Sequence, residues 1–96
     1  MELIFDWDAK KDRKNIRKHE ITFEEAKTIF YDAYLITYPD ELHSDNEDRF
    51  ISIGYSTHSR ILLAIHTENQ EAENSTVIRI ISCRKATPLE RGYYEE

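Results

Sequence analysis

NIRKHEITFEEA, residues 15–26, runs from a basic segment into an acidic one with no glycine or proline between them. Thr22 opens the pattern T-x-x-E. There a threonine oxygen accepts an amide hydrogen at a helix start, and a glutamate three residues on reaches back to the threonine N–H. The spacing therefore predicts a helix beginning at Thr22, with Glu25 completing the box. Phe23, Ala26, Phe30 and Ala33 follow at offsets of three, seven and ten, an apolar stripe at helical period. This helix builds core. The segment before it, residues 9–19 (AKKDRKNIRKH), holds six Lys or Arg against one Asp, a local charge of +5. Asp6 or Asp8 can cap its start, because a carboxylate accepts the free amide hydrogens of a first turn. Over residues 8–18 only Ala9 and Ile16 are apolar, so this first helix buries little and lies on the surface. Two helices meet at residues 19–22, and the basic one serves something other than packing.

The rest of the chain fills out an α+β domain. ELIF (2–5) reads as a first strand. Beyond the second helix the period changes to two. YLITYP (34–39) is a strand ended by Pro39, DELHSDNE (40–47) an exposed loop, and RFISIGYS (49–56), RILLAIHT (60–67) and TVIRIISC (76–83) are three β-rich runs. STHS joins the first two of these as a hairpin, and the acidic ENQEAENS (68–75) is a longer turn. Thr87, Pro88 and Glu90 repeat the helix-start chemistry for a short last helix carrying Leu89, Tyr93 and Tyr94. The expected order is β-α-α-β-β-β-β-α, a single domain over residues 1–96 with an antiparallel sheet packed against helices on one face.

Ninety-six residues can bury a core without metals or disulfides, and the scarcity of Gly and Pro argues against disorder. The only cysteine, Cys83, lies in an apolar run, so no internal disulfide forms and a reducing cytoplasm suits the chain. Neither a signal peptide nor a membrane span is evident, which points away from a membrane partner. The net charge of −6 conceals a division. Residues 79–91 add a second basic patch of +3, and acid concentrates in DELHSDNED and ENQEAEN. Net charge predicts solubility; its distribution predicts partners.

Within TVIRIISC strict alternation puts Arg79 with Val77, Ile81 and Cys83 on one face, and Arg84 with Ile78, Ile80 and Ser82 on the other. An arginine in an apolar strand must reach water, a carboxylate or a phosphate. Two readings stand: a salt bridge to one of the many acids, or a clamp on a phosphate that gains charge in a transition state. Arg60, after the STHS turn, joins them in the second reading and is an ordinary hairpin arginine in the first. His19 can transfer protons near neutral pH, or can cap the spare carbonyls of its own helix. Trp7 stacks on a base or fills core. His58 and His66 have no ligand spacing between them, no metal or other cofactor is implied, and Cys83 reads as a small core residue.

FDWDAKKDRKNIRKHEITFEEAKTIFYD (5–32), EDRFISIGYS (47–56), RILLAIHT (60–67) and IRIISCRKATPLERGYYE (78–95) together resemble the BrnT toxin family. That family shows a Trp-Asp start, Asn-x-x-Lys-His-Gly before a helix, an Arg-bearing hairpin, and Arg-Ile-Ile-Ser-Ala-Arg-Lys-Ala with Glu-Arg and Tyr near the end. Glu20 stands where the family usually has Gly, so a differently built turn is expected after His19. Cys83 replaces the usual Ala, a swap that packing should absorb. The resemblance implies a RelE-like fold and the toxin half of a type II toxin–antitoxin pair. It further implies a cytoplasmic, metal-independent endoribonuclease that inhibits translation and growth. The implied partner is a BrnA-like ribbon-helix-helix antitoxin, in a heterotetramer that represses its own operon and meets operator DNA only through the antitoxin. Carried over by position, His19, Arg60, Arg79 and Arg84 are the catalytic candidates, and Trp7, Lys18, Lys85 and Tyr94 the RNA-binding ones. A rival of another class is a catalytically inactive antitoxin-binding module that acts as co-repressor, its arginines pairing with the partner.

Overall fold

A computed structural model describes residues 2–43, 45 and 47–96. Strand β1 (Glu2–Trp7) leads to Asp8, which caps α1 (Ala9–His19) by accepting from the amides of Lys10 and Lys11 at 2.7 and 3.2 Å. The other candidate cap, Asp6, pairs with Arg79 instead. Only Asn15 of α1 is buried, as the shortage of apolar residues dictates. The helix ends at Glu20, in the left-handed conformation (φ 58°, ψ 35°), whose N–H donates to Ile16 O at 2.8 Å. The differently built turn expected there does not form. A left-handed residue both satisfies the Ile16 carbonyl and swings the chain into the next helix, and Glu20 adopts it at a cost of about 1–2 kcal/mol.

Helix α2 (Phe23–Thr28) begins as predicted, with Thr22 Oγ1 accepting from Glu25 N at 3.0 Å. The return half of the box is missing, because Glu25 turns into the fold. The Phe23 amide is served by Asp12 of α1 at 2.9 Å. The helix is also shorter than its stripe predicts. It tightens to a 3₁₀ turn at Ile29–Tyr31, so Phe23, Ala26, Ile29 and Phe30 are buried while Ala33 is exposed.

Strands β2 (Ile36–Pro39), β3 (Phe50–Tyr55), β4 (Ile61–Ala72) and β5 (Ser75–Lys85) follow, then α3 (Pro88–Glu95) with both halves of its Thr87–Glu90 capping box present. The expected loop 40–47 includes Ser44 and Asn46, which lie outside the described residues; Glu41–His43 is a 3₁₀ turn. The acidic stretch 68–75 is mostly ladder rather than turn. β4 runs on to Ala72 and β5 resumes at Ser75, since strand pairing satisfies a polar backbone as well as an apolar one.

The sheet order is β1-β5-β4-β3-β2, and it is mixed rather than antiparallel: β1 lies parallel to β5. Tight hairpins impose antiparallel pairing on neighbours. β1 is joined to β2 through helices, so no local turn dictates its partner or direction. One face carries Phe5, Leu62, Ala64, Ile78, Ile80 and Cys83, covered by Ile21, Phe23, Ala26, Ile29 and Phe30.

A one-residue bulge decides what the other face carries. Ile65 pairs with Ser82 but His66 pairs with Ile80, leaving Ile81 as the extra residue. One extra residue reverses the alternation beyond it. Ile78, Ile80 and Cys83 therefore all join the core, while Arg79, Ser82 and Arg84 share the opposite face. The strict alternation that separated Arg79 from Arg84 fails for that reason. Helix α3 returns on this opposite side, where Glu90 meets Arg84, so the helices are not confined to one face.

Candidate nucleic-acid interface

Strand β1 stops at Trp7, opposite Ile80, and leaves the edge of β5 beyond it without a strand neighbour. Helix α1 takes that place through Asn15. Its Oδ1 accepts from the Cys83 amide at 3.0 Å, and its Nδ2 donates to Ile21 O at 2.9 Å. Both ends of this buried amide are used, as buried polar groups require. The result is a cleft of about 450 Å³ between α1 and the open face of β5. Lys11, Lys14, Lys18 and His19 line it from the helix, and Ser82 and Arg84 from the strand, with Asn15 and Ile81 between them. The lysines sit at i, i+3 and i+7, one face of a helix. None of the described lining residues is acidic, in a chain whose net charge is −6. Such a lining concentrates positive potential and suits a phosphate backbone.

Arg84 enters the cleft already paired. Its Nη1 and Nη2 donate to Glu90 Oε1 and Oε2 at 2.7 and 2.9 Å, and Nη1 also reaches Lys85 O at 3.3 Å. The Arg84 hydrogen bond holds the Glu90 carboxyl down to about 2, so the pair is ionised at neutral pH. The pair uses the end of the guanidinium fork. The Nε–H makes no hydrogen bond among the described residues, which leaves one edge for a second anion.

The other predicted residues are dispersed. Arg60 Nε and Nη2 donate to Glu25 at 2.8 and 2.6 Å; Ser56 Oγ donates to the same carboxylate at 2.7 Å, and His58 Nδ1 lies 3.1 Å from it. The hydrogen bond from Arg60 holds the Glu25 carboxyl below its usual range against the opposing effect of burial. This buried hub ties the β3–β4 hairpin to α2, so an Arg60 variant tests folding before it tests catalysis. Arg60 and Lys85 line a second cleft of about 290 Å³ with Tyr55 and Arg91. Arg79 shares the face of Arg84 but pairs with its strand neighbour Asp6, outside both clefts. Trp7 packs edge-on against Phe23, ring centres 6.0 Å apart, on the margin of the core. The Tyr94 hydroxyl donates to Asp32; burial and that bond push it up to about 12, so it keeps its proton at neutral pH. Of the eight candidates, then, the cleft gathers Lys18, His19 and Arg84. Sequence reasoning missed Lys11, Lys14, Asn15 and Ser82. The helical spacing of the three lysines was a usable signal; Asn15 and Ser82 gave none. Among the described residues, no three His, Cys, Asp or Glu side chains converge as a metal site.

The model of the family described as ribonuclease toxin, BrnT, of type II toxin–antitoxin system matches residues 7–90, which include every residue of the cleft. The chain belongs to the BrnT family. BrnT proteins are, by that description, ribonuclease toxins, and a cation-lined cleft on an acidic BrnT chain is consistent with an RNA substrate. The crystal structure of the Brucella abortus ribonuclease toxin BrnT shares the BrnT fold seen here. It is 22% identical, with a TM-score of 0.64 over 91% of this chain and 99% of that one. No curated protein sequence matches the chain.

Proposed function

We propose that this BrnT protein is a metal-independent endoribonuclease working at the cleft between α1 and β5. In this reading it is a RelE-type cytoplasmic toxin, neutralised by a BrnA-like antitoxin in a heterotetramer that represses the operon and touches operator DNA only through the antitoxin. The observation that carries the reading is the acid-free lining of Lys11, Lys14, Lys18, His19 and Arg84. The 2′-hydroxyl of one nucleotide attacks the adjacent phosphorus, closing a 2′,3′-cyclic phosphate. The P–O bond to the next nucleotide breaks, and its 5′-oxygen takes up a proton. His19 handles the proton transfers. Arg84 meets the charge that develops on the phosphate oxygens through its free Nε edge. The three lysines hold the backbone, and Lys85 extends that hold beyond the cleft. Arg60 and Arg79 serve the fold. DNA lacks the attacking hydroxyl and is not a substrate.

A second reading has its own observation. Arg60, Arg79 and Arg84 are all paired with carboxylates of this chain, which weakens the positive field they offer to RNA. That favours an inactive antitoxin-binding module that acts as co-repressor. Induced expression of the chain alone in a bacterial host separates the two, with growth and RNA integrity followed beside His19→Ala. We expect arrest with RNA loss in the wild type. In vitro, the folded His19→Ala protein should cleave roughly a hundredfold more slowly or worse. Unimpaired growth with abundant soluble wild-type protein selects the co-repressor.

A further inference from the structure

Ile81, Ser82 and Arg84 line a second groove as well as the cationic cleft. This groove, about 410 Å³, runs from Arg84 across the open face of the sheet, past Leu63 and Ile65 of β4 and Ile51 of β3. Its register is continuous, since Arg84 pairs with Leu63, Ser82 with Ile65, and Ile65 with Ile51. Ordinary alternation along β3, β4 and β5 puts these side chains on one face, and the bulge sets Ile81 beside them. Leu63 is buried and Ile51, Ile65 and Ile81 are half-buried, so the floor is apolar where the neighbouring cleft is cationic. Charged and polar groups stand at its margin, among them Arg49, Glu90 and Asp40. A cationic arm and an apolar arm thus meet at one guanidinium.

We infer that the apolar groove is a nucleobase subsite. It takes the unpaired base of a nucleotide flanking the phosphate at Arg84, while the backbone continues along Lys11, Lys14 and Lys18. The inference rests on the proposed RNA-cleaving function and adds its substrate class. A base can reach the sheet floor only if it leaves its stack, so the substrate is single-stranded RNA rather than duplex. A cationic track beside an apolar platform is the general arrangement for single strands, the track binding phosphates and the platform binding base faces. The size of the groove fits a ribonucleoside, at the lower end of small-ligand sites. Ser82, with no hydrogen bond to its hydroxyl among the described residues, stands at the shared wall, two residues from Arg84 on the same face.

The test compares two probes carrying the same number of phosphates: a short single-stranded 2′-O-methyl RNA, which cannot be cleaved, and its counterpart built from abasic units. Binding of both to the wild type and to Ile65→Ser is followed over a salt titration. The wild type should bind the base-bearing strand roughly tenfold tighter than the abasic one. Ile65→Ser, folded by circular dichroism, should lose that difference yet keep the salt slope set by the lysines. Equal affinity of the wild type for both probes, with a steep salt slope, overturns the base subsite and leaves the cationic cleft intact; the apolar face then belongs to a protein partner. If neither strand binds even at low salt, the RNA-cleaving function itself falls, and the subsite with it.

Discussion

Glu20 bears a backbone strain that glycine at the same position would not. Its φ of 58° is required by the turn between α1 and α2, and its N–H closes the last bond of α1. Glu20→Gly should therefore stabilise the protein by about 1 kcal/mol, the relief of the left-handed penalty less the extra freedom glycine gives the unfolded chain. A urea titration reads this as a higher midpoint at unchanged slope; no change in midpoint means the turn relaxes at no cost. The departure from the usual family residue was legible in the sequence, but its outcome was not. Whether a turn adapts to the residue or the residue to the turn depends on the partners at both ends. Glu25 teaches the same point. T-x-x-E predicts a glutamate that reaches back, yet a buried carboxylate with Arg60, Ser56 and His58 around it has stronger donors than one helix amide.

The contact of α1 with β5 rests on Asn15. Asn15→Ala strands the Cys83 N–H and the Ile21 C=O, both in fully buried residues. The loss should be about 3 kcal/mol. Asn15→Asp keeps the acceptor for Cys83 but sets a buried carboxylate oxygen against the Ile21 carbonyl oxygen, so it should lose at least as much as Asn15→Ala at neutral pH. Chemical denaturation of the three proteins checks the order; equal stability of Asn15→Ala and wild type would mean that water replaces both bonds. Elements of this kind mark the limit of what sequence patterns carry. The helix starts at Asp8, Thr22 and Thr87 follow from side-chain oxygens next to free amides, and the strand runs from their period. The bulge at Ile81 has no glycine or proline to announce it, only an isoleucine between Ile80 and Ser82. Yet it alone puts Arg79 on the face of Arg84, against the strict alternation of the strand. The parallel pairing of β1 was equally silent, because no hairpin specifies it.

For the molecule as a whole the acid limit lies in the middle of the sheet. His66 is fully buried between Phe30 and Phe50, and Ser52 Oγ lies 2.7 Å from its Nε2. Its Nδ1 has no hydrogen-bond partner among the described residues; a Glu68 carboxylate oxygen is 3.8 Å away. Burial pushes the ring down to about 4 from an ordinary value of 6.5. As pH falls the unfolded chain binds this proton first, so stability is full above 6.5 and is lost progressively toward 4, by about 3 kcal/mol at most. The carboxyls of Glu25, Asp32 and Glu90, held below their usual values by their partners, add their own loss only at lower pH. Thermal unfolding followed from pH 7.5 to 4 should show this decline in the wild type and a much flatter profile in His66→Gln; parallel profiles would remove His66 as the cause. The parallel β1–β5 pair bears on something else, the order in which the chain is synthesised. Residues 2–7 wait for residues 75–80 before they have a strand to join. Closing so long a loop is a late and slow event. Helix α1, leaving β1, therefore reaches Arg84 only after nearly the whole polypeptide has been made. A chain interrupted before residue 84 has the basic helix but not the strand that closes the cleft, so the activity proposed above would be absent from every unfinished copy.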